Sequence, residues 1–246
     1  MPEISIVIPI HNEEKYLLNS ITGLCVELGK LNVTNYEIVL CENGSTDKTR
    51  EIGEELVGEN NFIRMIITGK ADYGAALKEC MLNAKGNYII QYDLDYWDVS
   101  FLRKTVLLMR EFEYDVIIGS KNMLLSNDER HLPRRIISQG FRLFLFFFFR
   151  LKVSDTHGVK AFRNDDRLRH LINETKFSRH IFDTELVLRC QKRGLNIIEL
   201  PMSIIEERPS TTKSIIKRVP EAITDLIKLW LELKNRRGVE KKRTDG

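Results

Sequence analysis

Two aspartates, Asp93 and Asp95, follow a short β-rich segment, and their type and spacing suggest metal chemistry. In an extended strand alternate side chains face the same side, which would place the two carboxylates about 6.6 Å apart along the strand. Carboxylates this close repel each other unless a cation or a proton lies between them. Mg²⁺ and Mn²⁺ bind oxygen ligands, and such ions are commonly shared between one or two carboxylates and substrate phosphates. The pair therefore predicts a metal and nucleotide-diphosphate site.

The composition is that of an ordinary globular protein. Of 246 residues, 43% are hydrophobic and 30% are charged, so the chain is long enough to bury a substantial core. A net charge of +3 gives no electrostatic reason to expect a nucleic-acid partner. No apolar run reaches about 18 residues and no leader-like segment opens the chain, so we expect neither a membrane span nor a signal peptide.

The cysteines are scattered along the chain without the spacing of a metal site. This pattern predicts reduced thiols in a cytoplasmic protein. The four residues are Cys25, Cys41, Cys80 and Cys190.

Apolar strands alternate with amphipathic helices along the first half of the chain. Apolar, β-branched segments predict strands at residues 4–10, 36–41, 63–67, 87–95 and 115–120, and helical periodicity predicts helices at 13–28, 48–56, 75–84 and 99–112. We expect Pro9 to end the regular pairing of the first strand and Asn12 to cap the first helix. The alternation predicts a mostly parallel sheet flanked by helices. Ligands of such sheets bind at the carboxyl ends of the strands, so the loops at His11, Glu42 and Asp93 should share one rim.

The second half adds two strands and three helices. Segments 160–163 and 197–201 predict strands, and residues 182–191 predict a helix that Gly194 ends. A phenylalanine-rich run at 141–151 is bracketed by arginines and is either buried in protein or placed in a membrane interface. Pro220 begins an amphipathic helix. We expect an α/β domain at residues 1–214, a C-terminal amphipathic helix at 215–235 and a basic disordered tail at 236–246.

Five segments together resemble a known protein family. They are IVIPIHNE at 6–13, ENGSTD at 42–47, DLD at 93–95, DTHGVKAF at 155–162 and FDTE at 182–185. In this order and spacing the chain resembles the family 2 glycosyltransferases of the GT-A (Rossmann-like) fold, most of all the polyprenyl- or dolichyl-phosphate mannose and glucose synthases. The resemblance implies an inverting transfer of a sugar from a nucleotide diphosphate sugar, of the GDP-mannose or UDP-glucose type, to a polyprenyl phosphate. Mg²⁺ or Mn²⁺ is the implied cofactor.

The resemblance also implies roles for individual residues. The nucleotide-binding residues are Pro9, His11, Glu13, Glu42, Asp72, Gly74 and Asp93, the metal ligands are Asp93 and Asp95, and the acceptor phosphate is bound by Lys121, Arg134, Ser138, Arg208 and Lys213. Those implied to act in the transfer itself are Asp93, Asp95, Arg134 and Arg208.

Three positions depart from the family pattern. Asn43 follows Glu42 where two aspartates are usual. Trp97 replaces a glutamine that helps hold the metal in relatives, which leaves either Asp98 as a substitute ligand or no ligand there. The turn at 155–158 is one residue shorter than usual, which leaves the role of His157 open.

The acceptor decides whether the site needs a general base. A polyprenyl phosphate has a second pKa near 6, by analogy with phosphorylated side chains, and attacks without a base. A hydroxyl acceptor requires a carboxylate base, for which Asp155 and Asp183 are candidates.

Three functions follow from this chemistry. They are transfer to a lipid phosphate, transfer to a saccharide or other hydroxyl, and non-catalytic nucleotide-sugar binding at a membrane surface. The first predicts peripheral binding to the cytoplasmic face of a membrane, and a membrane-protein partner at the C-terminal helix stays open.

Overall fold

A computed structural model describes residues 1–121, 132–179, 181–202 and 220–234, with side chains in the second segment described from residue 135. Strands and helices alternate through most of the chain. They are β1 (Ile4–Ile10), α1 (Leu17–Lys30), β2 (Tyr36–Glu42), α2 (Thr49–Glu59), β3 (Ile63–Ile67), α3 (Tyr73–Asn83), β4 (Tyr88–Gln91), α4 (Val99–Glu111), β5 (Val116–Ser120), α5 (Leu132–Phe149), β6 (Lys160–Arg163), α6 (Asp166–Glu174), α7 (Ile181–Lys192) and β7 (Ile197–Pro201). A last helix, α8, spans residues 220–234.

The strands form one sheet of seven in the order β3-β2-β1-β4-β6-β5-β7. The pairs β1–β2, β1–β4, β2–β3 and β5–β7 are parallel, whereas β6 runs antiparallel to both of its neighbours, β4 and β5. The prediction of a mostly parallel sheet flanked by helices, with a C-terminal amphipathic helix, is therefore confirmed.

Alternate residues of the central strands face two hydrophobic cores, one on each side of the sheet. Val7 and Ile89 face the core that α3, α5, α6, α7 and α8 cover. Ile6 and Ile90 face the core that α1, α2 and α4 cover. Burial on both faces explains why these strands are apolar at nearly every position.

Two predictions about the start of the chain are wrong. Pro9 does not end the pairing of β1, since it pairs with Cys41 on β2. The proline is tolerated because pairing with β4 stops at Val7, so no ladder on that side needs an N–H from residue 9. Asn12 does not cap α1, which begins at Leu17. Its φ of 56° places Asn12 in a left-handed loop conformation.

The two aspartates of the opening prediction do not lie on one face of a strand. Strand β4 ends at Gln91, and a bridge between Asp93 and Tyr96 closes a tight turn after it. Tyr96 N donates to Asp93 O at 3.2 Å. Asp95 therefore lies in a turn, and its position relative to Asp93 follows from the turn rather than from strand alternation.

Helix α6 is absent from the sequence prediction. Asp165 caps it by accepting a hydrogen bond from Leu168 N at 2.9 Å. Leu168, Leu171 and Ile172 form its buried side. An acidic N-cap ahead of apolar residues three and four apart was the available signal.

The phenylalanine-rich run has one buried and one exposed face. Leu145 and Phe149 are buried in the core, whereas Phe146, Phe147 and Phe148 are 57%, 72% and 51% exposed. The two predicted placements, protein core and exposed interface, thus apply to different faces of the same helix. In the described part of the chain, no helix has both the length and the apolar character needed to cross a membrane.

The prediction of four reduced thiols is wrong for two of the cysteines. Cys41 on β2 and Cys80 on α3 form a disulfide, with their Cα atoms 6.0 Å apart. Cys25 and Cys190 are free. The pairing arises because α3 packs directly on β2, which nothing in the sequence spacing reveals. The cysteines therefore no longer support a cytoplasmic location.

Candidate active site

The carboxyl ends of β1 and β2 lie at one edge of the sheet, and the loops that follow them interlock. Glu13 N donates to Thr49 Oγ1 at 2.6 Å, and Asn12 N donates to Ser45 Oγ at 3.1 Å. Glu42 is 2% exposed, and its Oε1 accepts a hydrogen bond from Ser45 N at 2.6 Å. Two predicted nucleotide-binding residues, Glu13 and Glu42, thus belong to one hydrogen-bonded pair of loops.

A chain of hydrogen bonds runs from these loops to the start of α3. His11 Nδ1 lies 2.8 Å from Asn43 O, and Asn43 Oδ1 accepts from Asp72 N at 2.5 Å. Asp72 caps α3 by accepting from Ala75 N, and it also accepts from Arg179 N at 2.9 Å. Burial by itself would raise the pKa of Asp72, but these backbone donors outweigh it and lower the pKa. Asn43 stands where the family usually has an aspartate. Its amide oxygen therefore joins the loop after β2 to the start of α3.

Gly74 allows α3 to approach the chain just before α7. A Cβ at this position would lie 2.7 Å from the backbone N and O of Arg179 and from the Cβ of Phe182. Such contacts are too close for any side chain larger than hydrogen. The nucleotide-binding role of Gly74 stays a prediction, and its packing role is separate from it.

Asp93 follows β4 at the same edge of the sheet, partly buried, whereas Asp95 is exposed. Burial is the largest cause that raises the pKa of Asp93, and the negative charges of Asp95 and Asp183 add to it. The positive charges of Lys160 and Lys121 oppose these effects, and the resulting pKa is about 6. A further cation beside Asp93 and Asp95 would favour the ionised form of both carboxylates.

This donor chemistry fits Mg²⁺ or Mn²⁺ shared with a diphosphate. Across residues 1–121, 132–179, 181–202 and 220–234, no group of three or more His, Cys, Asp or Glu side chains forms a complete metal site. An ion held by Asp93 and Asp95 would have coordination positions open to phosphate oxygens and water.

A buried ion pair lies next to Asp93. Asp183 on α7 accepts hydrogen bonds through Oδ1 from Lys160 Nζ and Gln91 Nε2, both at 2.8 Å. Lys160 is 1% exposed and also donates to Gly158 O at 2.8 Å. Burial would raise the pKa of Asp183, but the charge of Lys160 holds it below its usual range. Because Gln91 is the last residue of β4, this pair adjoins the turn that carries Asp93.

The sequence analysis did not identify Lys160 or Gln91 as site residues, and it considered Asp183 only as a base. A lysine directly before the apolar residues Ala161 and Phe162 of a predicted strand was the available signal, since lysine is rarely buried without a partner. The partner itself is 23 residues away and cannot be read from local sequence.

A second acid–lysine pair lies at the end of β5. Lys121 Nζ is 3.2 Å from Asp155 Oδ2, and the two side chains are 11% and 5% exposed. Burial would raise the pKa of Asp155, but the charge of Lys121 outweighs it and lowers the pKa. His157 N donates to Asp155 Oδ1, and the His157 ring is exposed. That ring packs edge-on against Phe141 of α5, with centroids 5.4 Å apart.

The other predicted acceptor-phosphate residues are only partly described. Ser138 is half-buried on α5. The side chain of Arg134, and residues Arg208 and Lys213, lie outside the described residues. Their roles stay predictions.

Trp97 and Asp98 have structural partners. Trp97 Nε1 donates to Ser20 Oγ on α1 at 3.0 Å. Asp98 caps α4, and its Oδ1 accepts from the backbone N–H groups of Ser100 and Phe101. The interpretation of Asp98 as a substitute metal ligand is therefore not supported, because the carboxylate holds the start of a helix.

Comparison with known proteins decides the family. The sequence profile of Glycosyl transferase family 2 matches residues 5–171. The chain belongs to this family. Glycosyltransferase AglD of Haloferax volcanii is 26% identical over 235 residues, which cover 94% of this chain and 37% of AglD. The dolichyl-phosphate beta-glucosyltransferase of Dictyostelium discoideum is 23% identical over 218 residues, which cover 82% of this chain and 66% of that enzyme.

Solved structures show the same fold. Glucosyl-3-phosphoglycerate synthase from Mycobacterium tuberculosis, in complex with Mn²⁺, UDP and glucosyl-3-phosphoglycerate, has a TM-score of 0.68 at 16% identity, covering 93% of this chain and 80% of that one. S. aureus TarS in complex with UDP-GlcNAc has a TM-score of 0.57 at 17% identity, covering 87% and 61%. This member of glycosyltransferase family 2 therefore has the GT-A fold, as the sequence predicts.

Proposed function

We propose that this glycosyltransferase transfers a hexose from a GDP-mannose- or UDP-glucose-type donor to a polyprenyl phosphate at a membrane surface. The observation that carries the proposal is that both acids named as candidate bases from the sequence already have a lysine partner. Asp183 is paired with Lys160, and Asp155 with Lys121. The likeness to a dolichyl-phosphate beta-glucosyltransferase supports the same acceptor class.

These ion pairs make transfer to a hydroxyl acceptor less favourable. A general base works best when its pKa lies near the operating pH, whereas the pKa values of Asp155 and Asp183 are both lowered. A phosphate acceptor is already ionised near neutral pH and needs no proton removed. The main task of the site is then to hold two anions, the donor diphosphate and the acceptor phosphate, close together.

Cations are required for that task. Lys121 is the described cation that we place on the acceptor phosphate, with Ser138 as a hydroxyl donor. Arg134, Arg208 and Lys213 complete the set in the proposal. Positioning and electrostatic stabilisation by such groups supply most of the catalysis when the acceptor needs no base.

Asp93 and Asp95 are proposed to hold Mg²⁺ or Mn²⁺ on the donor diphosphate. The ion would neutralise the charge that develops on the leaving nucleotide. Glu42 and His11, with Pro9, Glu13, Asp72 and Gly74, are proposed to bind the nucleoside end.

Helix α5 links the site to a surface suited to a lipid. Phe141 of α5 packs on His157, and the exposed Phe146, Phe147 and Phe148 lie between one and two turns further along the same helix. We place these phenylalanines in the bilayer interface, on the cytoplasmic face, where the acceptor headgroup could reach Lys121. The enzyme would then be peripheral, with residues 1–214 as the catalytic domain.

Labelled transfer tests the proposal. The purified protein is incubated with Mn²⁺ and radiolabelled UDP-glucose or GDP-mannose, in the presence of polyprenyl phosphate or of the corresponding polyprenol. We expect label in the organic phase only with the phosphate. Label that enters polyprenol or a water-soluble saccharide equally well, or never enters the organic phase, contradicts a lipid-phosphate acceptor.

A lysine variant locates the acceptor site. Lys121→Met should raise the KM for polyprenyl phosphate by about tenfold or more, since it removes a charge-assisted hydrogen bond. The matched control is Lys104→Met on the exposed side of α4. Equal KM values for the two variants would argue against Lys121 as an acceptor ligand.

A further inference from the structure

Helix α8 is apolar on two sides. Leu226, Leu229 and Leu233 are buried in the core that α3, α5, α6 and α7 also line. Ile223, Ile227 and Leu231, spaced four residues apart, are 43%, 48% and 48% exposed. Because the inner side already fixes the helix to the domain, the outer apolar side is not needed for folding.

The acidic residues of α8 lie away from its outer apolar side. All of its acids are in ion pairs, Glu221 with Arg179, Asp225 with Lys228, and Glu232 with Arg189 and Lys176. At 100° per residue these acids occupy one sector of the helix, next to neither Ile223 nor Ile227. Arg189 is 3% exposed and also binds the buried Glu185, so the polar side of α8 is anchored on α7.

Trp230 joins the outer side of α8 to the exposed phenylalanines of α5. Its Nε1 donates to Phe148 O at 3.0 Å, and the two rings meet edge-on with centroids 6.4 Å apart. Lys234 Nζ lies 4.8 Å from the centroid of the Trp230 ring. More than half of the exposed large apolar side chains in the described segments are on these two helices. The contact between Trp230 and Phe148 thus links the exposed apolar sides of the two helices.

We propose that this α5–α8 surface (Phe146, Phe147, Phe148, Ile223, Ile227, Trp230 and Leu231) is a single docking surface for a bilayer with anionic headgroups. The inference rests on the proposed function and extends its membrane contact from one helix to two. Proteins seldom expose contiguous apolar surface of this kind without a partner, and tryptophan favours the boundary between apolar and wet regions.

Charge favours a bilayer over a protein as the occupant. Lys234 stacks on Trp230 at the edge of the surface, and Arg150 and Lys152 are exposed just past the end of α5. The sequence after α8, residues 235–246, contains five Lys or Arg residues against two acids. Cations around an apolar face match an anionic interface, where each contributes to binding.

Vesicle binding tests the α8 half of the surface. The variant Ile223→Ser/Ile227→Ser/Leu231→Ser is sedimented with phosphatidylcholine vesicles that do or do not contain phosphatidylglycerol. We expect partitioning at least about tenfold weaker than for the parent, because apolar burial in the interface is lost. The matched control is Leu18→Ser/Val26→Ser/Leu107→Ser, which alters equally exposed side chains on α1 and α4 and should bind as the parent does.

Tryptophan fluorescence tests the same surface without altering it. The chain has two tryptophans, so Trp97→Phe leaves Trp230 as the only one. Vesicles of brominated lipid should quench its emission. In the Trp230→Phe protein, the remaining Trp97 packs on α1 and should not be quenched.

Three outcomes overturn the proposal. They are parent-like vesicle binding by the α8 triple variant, no binding by the parent, and Trp230 emission that brominated lipid leaves unchanged. If the triple variant instead dissociates a dimer in light scattering with vesicle binding intact, the surface contacts a second copy. The vesicles contain no polyprenyl phosphate, so a failure of the proposed transfer reaction leaves these measurements unaffected.

Discussion

At the scale of single residues, the acids of the active site differ in their partners. Asp155 and Asp183 each face a lysine, which keeps them ionised. Asp93 faces Asp95 and Asp183, and its pKa is raised to about 6. The sequence shows where the acids are, but the difference between them depends on lysines that the fold brings from other strands.

The raised pKa of Asp93 predicts a pH-dependent cost in stability. Below the unfolded-state pKa of 3.8, Asp93 is protonated in both the folded and the unfolded protein, and the free energy of unfolding is not reduced. The reduction grows as pH rises and is complete above about pH 6. In metal-free buffer, Asp93→Asn should therefore raise the free energy of unfolding at pH 7 by about 1–3 kcal/mol, toward the lower end because Asp93 keeps some solvent contact. At pH 3.5 the gain should vanish. Urea unfolding across this range measures it.

An exposed carboxyl provides the control for this experiment. Glu55→Gln makes the same chemical change on the exposed side of α2 and should shift stability little at any pH. Adding Mn²⁺ with UDP should stabilise the parent by mass action and the Asp93 variant much less. A variant whose stability follows the parent at every pH would show that Asp93 is not under electrostatic stress.

At the scale of elements, the proposed nucleotide site, at Asn43 and Asp72, depends on how closely α3 approaches α7. Gly74 makes this approach possible, and Asp72 fixes it through Arg179 N. The sequence predicted the loop and the helix, but not that a Cβ added at Gly74 would lie 2.7 Å from another backbone segment.

Gly74→Ala is expected to push α3 away from α7. The added methyl group would meet the backbone of Arg179, so we expect a loss of about 1–3 kcal/mol in the free energy of unfolding, as for other overpacked sites. Affinity for UDP, measured by calorimetry, should fall with it because Asp72 and Asn43 shift together.

Gly58→Ala is the matched control on α2. A Cβ there meets nothing within 4 Å, so the change should be neutral or stabilise by up to about 1 kcal/mol. Equal stabilities of the two variants would mean that α3 and α7 are not in tight contact.

At the scale of the whole molecule, one covalent link joins the sheet to the helices that cover it. The Cys41–Cys80 disulfide connects β2 to α3 across a sequence separation of 39 residues. It joins the strand that ends at Glu42 to the helix that Asp72 caps, and both residues belong to the proposed nucleotide site.

The disulfide predicts how many thiols react. In denaturant without reductant, two thiols per chain should react with a thiol reagent, Cys25 and Cys190, and all four should react after reduction. Reduction should lower the free energy of unfolding by about 2–4 kcal/mol, a usual effect for a loop-closing link. The Cys41→Ala/Cys80→Ala protein should be insensitive to reductant. Four reactive thiols in the unreduced protein would rule the link out.

The sequence by itself determined the strand–helix alternation, the rim on which the loops at His11, Glu42 and Asp93 meet, and the family motifs. These are local features, because hydrophobic periodicity and strand-end position depend on residues close together in the chain. Only the tertiary structure decided that β6 enters the sheet antiparallel between β4 and β5. That insertion places Lys160 beside Gln91 and Asp183, and it leaves Asp93 among acids. Such pairings join residues far apart in sequence, so the packing of the whole sheet determines them.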